Sequence, residues 1–130
     1  MSETLTSQRD RIARLNDLAR RAMGVACTAV ATVGFRSLPE ADQSQVRELI
    51  ETYDAFTEDK DPHGERDFGT IYQLADGRWV TERPRLRDDE RERVFWKFDY
   101  YDCDLQFGSE DAANPAVTRR VLTIMLADEY

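Results

Sequence analysis

The sequence is poor in the residues that build metal centres and covalent frameworks, because its 130 residues include one histidine and two cysteines. Cys27 and Cys103 lie far apart and match neither a disulfide framework nor a Cys-x-x-Cys pair, so we expect free thiols and a reducing, cytoplasmic location. With His63 alone, no histidine-rich metal site can be assembled, and the short ligand spacing of zinc sites is missing. We therefore predict no bound metal and no other cofactor.

Glycine-rich phosphate loops, dinucleotide fingerprints and nucleophile elbows are also missing from the sequence. Their absence argues against the common enzyme classes. No apolar run approaches the roughly 20 residues that a membrane-spanning helix needs. We therefore expect no membrane contact.

Basic residues are outnumbered, because 18 Lys and Arg stand against 26 Asp and Glu and the net charge is −8. Residues 1–36 hold six Arg against three acids, whereas the rest of the chain holds 12 basic and 23 acidic residues. A negative surface repels phosphate backbones, so direct DNA or RNA binding is disfavoured. We interpret five arginines near the N-terminus as the solvated face of a helix: Arg9, Arg11, Arg14, Arg20 and Arg21.

Helical periodicity marks two segments of the chain. Apolar residues recur at helical spacing over 5–23, where Ser7 and Asp10 resemble a capping box. We treat residues 1–24 as an N-terminal helical extension of a core that spans 25–130. A second helix begins near Pro39 and carries one of the clearest apolar stripes, which consists of Val46, Leu49, Ile50, Tyr53 and Phe56.

Strand signals are found in four segments. The β-branched run 25–35 favours a strand that is buried on both faces. Two further strands flank Asp76-Gly77, the dipeptide that a tight hairpin turn prefers because both central residues need positive φ. In the fourth, alternation assigns one face to the core through Trp96 and Phe98. The strands are predicted over 25–35, 68–74, 78–82 and 94–102.

The remaining segments complete a single α+β domain over residues 1–130, with an antiparallel sheet of about four strands packed against two or three helices. Residues 83–93 are charged at nearly every position, so we expect an exposed loop. Asn114 and Pro115 favour the start of a terminal helix. The apolar run 121–126 (VLTIML) could instead be a strand, because a six-residue run alone does not distinguish the two.

Three sequence blocks resemble a small bacterial family that is catalogued as domain of unknown function 3768. They are DPHGERDFG at 61–69, FWKFDYYD at 95–102 and RVLTIMLADEY at 120–130. The resemblance runs from about residue 26 to the last residue and implies a common fold unit without an activity. It also implies the company of mobile genetic elements. Relatives usually have His where this chain has Arg66, and Arg cannot exchange protons near neutral pH.

The acids of the second helix fall on the side opposite its apolar stripe, and the sequence continues from them into an acidic loop at 57–67. Carboxylates along a helix can approximate the pitch of phosphates and compete for a basic nucleic-acid groove on another protein. We therefore expect a non-enzymatic binder of a protein with a basic surface, with an anti-CRISPR or antirestriction inhibitor as the concrete version. Its candidate partner-binding residues are Glu40, Glu48, Glu51, Asp54, Glu58, Asp59, Asp61, Glu65 and Asp67.

A metal-dependent hydrolase or nuclease is the alternative function, since carboxylates hold Mg²⁺ and a Lys can orient the attacking water. The usual nuclease core has an acid two residues before the Lys, where this chain has Phe95. Its candidate catalytic residues are Asp61, Glu65, Asp67, Lys97 and Asp99. We favour a simpler interpretation in which Lys97 and Asp99 are polar partners on the outer face of the sheet.

The acidic loop also matches part of a calcium-binding template, with acids at positions one and three, Gly at six and an acid at nine. Thr70 stands where the template needs a bidentate Glu, and Pro62 restricts the loop. We therefore predict a turn that is capped by Asp side chains instead of a cation site.

Overall fold

The computed structural model describes residues 2–130, with side chains from Gln8 onward. Three helices are present in the described part: α1 (Ser2–Arg21), α2 (Val33–Arg36) and α3 (Glu40–Glu51). Five strands accompany them: β1 (Thr28–Ala31), β2 (Phe68–Leu74), β3 (Trp79–Val80), β4 (Glu90–Tyr101) and β5 (Arg119–Leu126). No helix among the described residues combines the length and apolar character that crossing a membrane requires.

The strands form one mixed sheet in the order β1-β5-β4-β2-β3. All neighbours are antiparallel except β1 and β5, which run parallel. The α+β class is confirmed, with one strand more than expected. β4 is the longest strand and occupies the centre, where it pairs with β2 on one side and β5 on the other.

The core lies between one face of the sheet and the helices α1 and α3. Val94, Trp96 and Phe98 point into it, so the core face predicted for β4 is confirmed. Trp96 is at its centre and meets the ring of Tyr53 edge to face, with 5.2 Å between centroids. Such aromatic pairs contribute about 0.5–1.5 kcal/mol beyond the area they bury.

Gly69 permits the close packing of Trp96. The two residues are directly opposite each other in the β2–β4 ladder. A Cβ atom added at Gly69 would lie 2.3 Å from Trp96 Nε1, which is closer than a van der Waals contact. The indole therefore occupies the space that any other residue at position 69 would fill.

We predict that Gly69→Ala lowers the free energy of unfolding by about 1–3 kcal/mol, because the indole or the strand must shift to admit the methyl group. The measurement is urea unfolding followed by tryptophan fluorescence. Gly108→Ala is the matched control, since the nearest atom to its new Cβ lies at 3.9 Å. Equal effects of the two substitutions would show that the close approach is not a constraint.

The prediction of a solvated face on α1 is wrong for Arg20, which is 1% exposed. Its Nη1 donates to the carbonyl oxygens of Ile50 and Tyr53, each at 3.0 Å, and its Nη2 donates to the carboxylate of Asp17. The guanidinium carbon also lies 5.2 Å from the ring centroid of Trp96. Arg20 therefore joins α1 to the end of α3 and to the sheet, and it supplies a donor to the Tyr53 carbonyl just beyond the helix end.

We predict that Arg20→Ala costs about 3–5 kcal/mol of unfolding free energy, since it removes the buried partner of Asp17, leaves the Tyr53 carbonyl without its donor and empties the space of a fully buried side chain. Chemical unfolding at neutral pH measures the loss. Arg21→Ala is the control, because Arg21 is exposed and its removal should change stability by no more than about 0.5 kcal/mol. A small effect at both positions would contradict the structural role of Arg20.

The predicted terminal helix is wrong, because residues 119–126 form β5. Arg120, Leu122 and Ile124 alternate toward the core, and the strand pairs with both β4 and β1. Asn114 does not cap a helix. Its side chain accepts the Ala116 N–H at 3.0 Å, which closes a turn in the way that Asx side chains do outside helices.

The first strand is shorter and more exposed than predicted. β1 lies at the sheet edge, and Thr28, Ala29 and Val30 are exposed instead of buried on both faces. The chain leaves the strand at Thr32, whose hydroxyl accepts the Phe35 N–H at 3.4 Å and begins α2. The strand therefore ends inside the β-branched run, because the Thr32 side chain caps a helix there.

The predicted hairpin is confirmed, since β2 and β3 pair antiparallel and Leu74 N donates to the Arg78 carbonyl at 2.7 Å. The turn type differs from the prediction, because Gly77 alone has positive φ, at 93°. The loop has three residues, and a three-residue hairpin loop needs only one residue in the left-handed region, whereas the predicted tight turn needs two.

Two boundaries differ from the predicted ones. The exposed loop predicted over 83–93 ends at residue 89, because Glu90 begins β4 and pairs with β2. The second helix ends at Glu51, although Tyr53 and Phe56 of its apolar stripe still pack on Trp96. The contacts of Arg20 with the Ile50 and Tyr53 carbonyls occur where the helix stops.

Candidate functional site

α3 turns one charged side to solvent. Val46 and Ile50 are fully buried, so helical geometry places Glu40, Glu48 and Glu51 on the opposite, exposed side. The chain after α3 adds further exposed carboxylates. We call the following six residues the acidic surface: Glu40, Glu48, Glu51, Asp54, Glu58 and Asp59.

None of the six carboxylates of the acidic surface forms an ion pair with a residue whose side chain the structure describes, although Arg47 lies on the same side of α3 one turn before Glu51. Arg47, which is exposed on the same helix, donates to the hydroxyl of Ser44 at 3.5 Å. Asp42 lies apart from the acidic surface and accepts the indole N–H of Trp79 at 2.9 Å. The six negative charges are therefore available to a cationic group outside the molecule.

The other three acids predicted to bind a partner are partly buried and have roles within the fold. Asp61 accepts the backbone N–H of Arg66, with its two carboxylate oxygens at 3.1 and 3.3 Å. The predicted Asp-capped turn is thus confirmed at this residue. Arg66 places its Nη1 2.9 Å from the Asp17 carboxylate and ties the loop to α1.

Glu65 and Asp67 lie where the acidic loop approaches β2. Burial raises the pKa of the Glu65 carboxyl, the charge of Asp67 raises it further, and the charge of His63 partly offsets both. Burial is also the main reason that the pKa of Asp67 is raised. Both carboxyls therefore keep their protons to a higher pH than an ordinary exposed carboxyl.

A buried polar network next to Glu65 was missed by sequence reasoning. Asn16, which is 0% exposed, donates to the Tyr100 hydroxyl at 2.8 Å and to the Glu65 carbonyl at 3.0 Å. Its Oδ1 accepts Arg120 Nε at 2.9 Å, and Arg120 also donates to the Ala112 carbonyl. Because each side-chain polar atom of Asn16 has a partner, the network fixes α1 on the sheet.

A signal for this network was present in the sequence. Asn16 stands on the apolar side of α1, four residues after Ile12 and three before Ala19. A polar residue at a core position of a helix requires a buried partner. The helical pattern alone does not identify Tyr100 and Arg120 as the partners, because they come from distant strands.

Lys97 and Asp99 lie on the face of the sheet away from the helices, as expected. Lys97 Nζ is 2.7 Å from the Asp99 carboxylate, so the two residues pair along one strand. The ladder places Lys97 beside Phe68 and Thr123, on the face opposite to Trp96. The Lys97 ammonium is therefore directed at Asp99 on the outer face of the sheet.

Among the residues that the structure describes, no group of three or more His, Cys, Asp or Glu side chains could hold a metal ion. Both carboxylate oxygens of Asp61 accept the backbone N–H of Arg66. The metal-dependent enzyme and the calcium site thus have no geometric observation in their favour within the described chain, and the enzyme stays an alternative prediction.

The fold and these contacts define an α+β protein with a mixed five-stranded sheet, helices α1 and α3 on one face, and an acidic surface on α3 and the chain that follows it. A family model described as "Protein of unknown function (DUF3768)" matches residues 31–129. The chain belongs to this family. No curated protein and no solved structure matches the chain. The family description assigns no activity to its members, so the surface of the chain is the feature that bears on function.

We predict that Glu65→Gln reduces the loss of stability that accompanies a rise in pH. Because the pKa of Glu65 is raised in the folded state, that state binds more protons than the unfolded chain between the two pKa values, and the unfolding free energy falls as pH rises through this window. Urea unfolding between about pH 4 and pH 7 measures the slope. Gln has nearly the same shape as Glu but no carboxyl proton to lose.

The exposed Glu110 provides the control for this measurement. Glu110→Gln should leave the pH dependence of wild type unchanged. If the unfolding free energy of Glu65→Gln and of wild type changed with pH by the same slope, burial would not raise the pKa of Glu65.

Proposed function

We propose that this protein is a non-enzymatic binder whose acidic surface occupies a basic surface on a partner protein. The observation that carries the proposal is the exposure of six carboxylates that form no ion pair with any described residue. Like charges that lie together lower the stability of a fold, and a complementary partner relieves their repulsion. Such complementarity mainly increases the association rate and the specificity for the partner.

A protein that binds DNA or RNA is the partner class that this surface fits. Glu40 and Glu51 are 11 residues apart, so about 16 Å of helix axis carries four carboxylates, of which Asp42 is bonded to Trp79 and three belong to the acidic surface. One DNA strand places a phosphate about every 3.4 Å and would carry about five over that length. The helix alone is a sparse phosphate mimic. Occlusion of a nucleic-acid groove, with Asp54, Glu58 and Asp59 adding charge, fits better than close imitation of a strand.

An inhibitor of a defence complex, either a restriction enzyme or a CRISPR complex, is the concrete form of the proposal. Such complexes hold nucleic acid on basic surfaces. They work in the cytoplasm, which is also the compartment that we propose for this chain. Its two cysteines, Cys27 and Cys103, are both free, which agrees with a reducing environment.

We predict that the triple charge reversal Glu48→Lys, Glu51→Lys and Asp54→Lys abolishes partner binding and leaves the fold intact, because all three side chains are exposed. The measurement is a pull-down from the native host at low and high salt, followed by competition between this chain and nucleic acid for the captured protein. Capture should weaken as salt rises, since exposed charges are screened over about 8–10 Å at physiological salt.

The matched control reverses three exposed acids outside the acidic surface, Asp104→Lys, Glu110→Lys and Asp128→Lys, and so changes the net charge equally. It should retain the partner. Retained binding by the first variant, or a captured protein that binds nucleic acid equally well with and without this chain, would refute the proposal. Circular dichroism and urea unfolding of both variants separate lost binding from lost folding.

A further inference from the structure

A groove rich in arginine lies beside the start of β4. It has a volume of about 470 Å³, and four of its six lining residues are arginines although the net charge of the chain is −8. We call it the arginine groove; it is lined by Arg83, Pro84, Arg85, Arg87, Glu90 and Arg93.

One of the four arginines is neutralised within the fold. Arg93 makes a two-pronged contact with the Glu90 carboxylate, with Nη2–Oε1 at 2.8 Å and Nε–Oε2 at 3.1 Å. Its guanidinium carbon lies 5.3 Å from the ring centroid of Tyr72. Arg93 and Glu90 therefore form a fixed wall of the groove, and Glu90 is not free to neutralise a second arginine.

The other three arginines lack a counterion within the described molecule. Arg83, Arg85 and Arg87 are exposed, and none of them forms an ion pair with a described residue. Three like charges around one groove repel each other. An anion from outside the chain would remove that repulsion.

The segment that carries these arginines is anchored at several points. Pro84 is half-buried and has a restricted φ. Asp89 N donates to the Leu86 carbonyl at 3.1 Å, and the Asp89 carbonyl accepts Ala75 N at 2.9 Å, which ties the segment to the β2–β3 turn. An anchored backbone reduces the entropy that a ligand must remove when it binds.

The chemistry of the lining selects phosphate groups. The planar fork of a guanidinium matches phosphate oxygens in pairs, and charge-assisted contacts of this kind are the strong ones. The lining contains no aromatic ring on which a nucleobase could stack. We propose that the arginine groove binds a compact phosphate-rich anion of the size of a diphosphate. The proposal is independent of the acidic surface and of its partner.

The test titrates inorganic pyrophosphate into the full-length protein and follows backbone amide shifts by NMR and heat by calorimetry. The shifts should concentrate in residues 83–93. Arg83→Gln, Arg85→Gln and Arg87→Gln should each weaken binding by about tenfold, which corresponds to the loss of one charged hydrogen bond. Arg11→Gln removes an exposed arginine elsewhere and should leave the affinity unchanged.

Two outcomes would overturn the proposal. In the first, the triple variant Arg83→Gln, Arg85→Gln and Arg87→Gln binds pyrophosphate as tightly as wild type. The same conclusion holds if Arg11→Gln weakens pyrophosphate binding as much as the substitutions in the groove do. In the second, a short single-stranded DNA shifts residues 83–93 and pyrophosphate does not, which would assign the groove to nucleic acid. Saturable pyrophosphate binding that requires these three arginines supports the proposal.

Discussion

The buried guanidinium of Arg20 is the contact on which the arrangement of the helices depends. A cation in a protein core is costly unless it is paired, and here the carboxylate of Asp17 and two backbone carbonyls accept from Nη1 and Nη2, while Nε has no hydrogen-bond partner among the described residues. The carbonyls belong to Ile50, in the last turn of α3, and Tyr53, just beyond it. The same contact that joins α1 to the core therefore helps to set the orientation of α3, and with it the side that presents the acidic surface.

Asp17 extends this contact to the acidic loop. Its second carboxylate oxygen pairs with Arg66, whose backbone N–H donates to the Asp61 carboxylate. α1 lies outside the residues that match the family model, yet Asn16, Ala19 and Arg20 are fully or almost fully buried. The helix treated as an extension in the sequence thus supplies part of the single core, and the acids of the loop are oriented by contacts that start in it.

Sequence reasoning succeeded where the signal is local. The stripe of α3, the Asp76-Gly77 hairpin and the alternation of β4 each depend on a few neighbouring residues, and the structure shows all three. The run 121–126 fits a helix or a strand equally well, and pairing with β4 and β1, both distant in sequence, decides for a strand. The prediction that Arg20 is exposed failed because its acceptors are distant in sequence or depend on the fold. An arginine on a helix is predicted to be exposed unless its buried acceptors are known.

The charges show the same division between local pattern and tertiary contact. Helical geometry alone predicts the exposed acids of α3, whereas the partial burial of Asp61, Glu65 and Asp67 depends on α1 and β4. Residues 83–93 contain five arginines and four acids, so the sequence indicates a nearly neutral loop. The structure separates these charges by placing four arginines and one acid around a groove. Asp88, Asp89 and Glu92 do not line it, and since exposed charges are screened over about 8 Å at physiological salt, acids elsewhere on the chain should weaken anion binding there less than the net charge suggests.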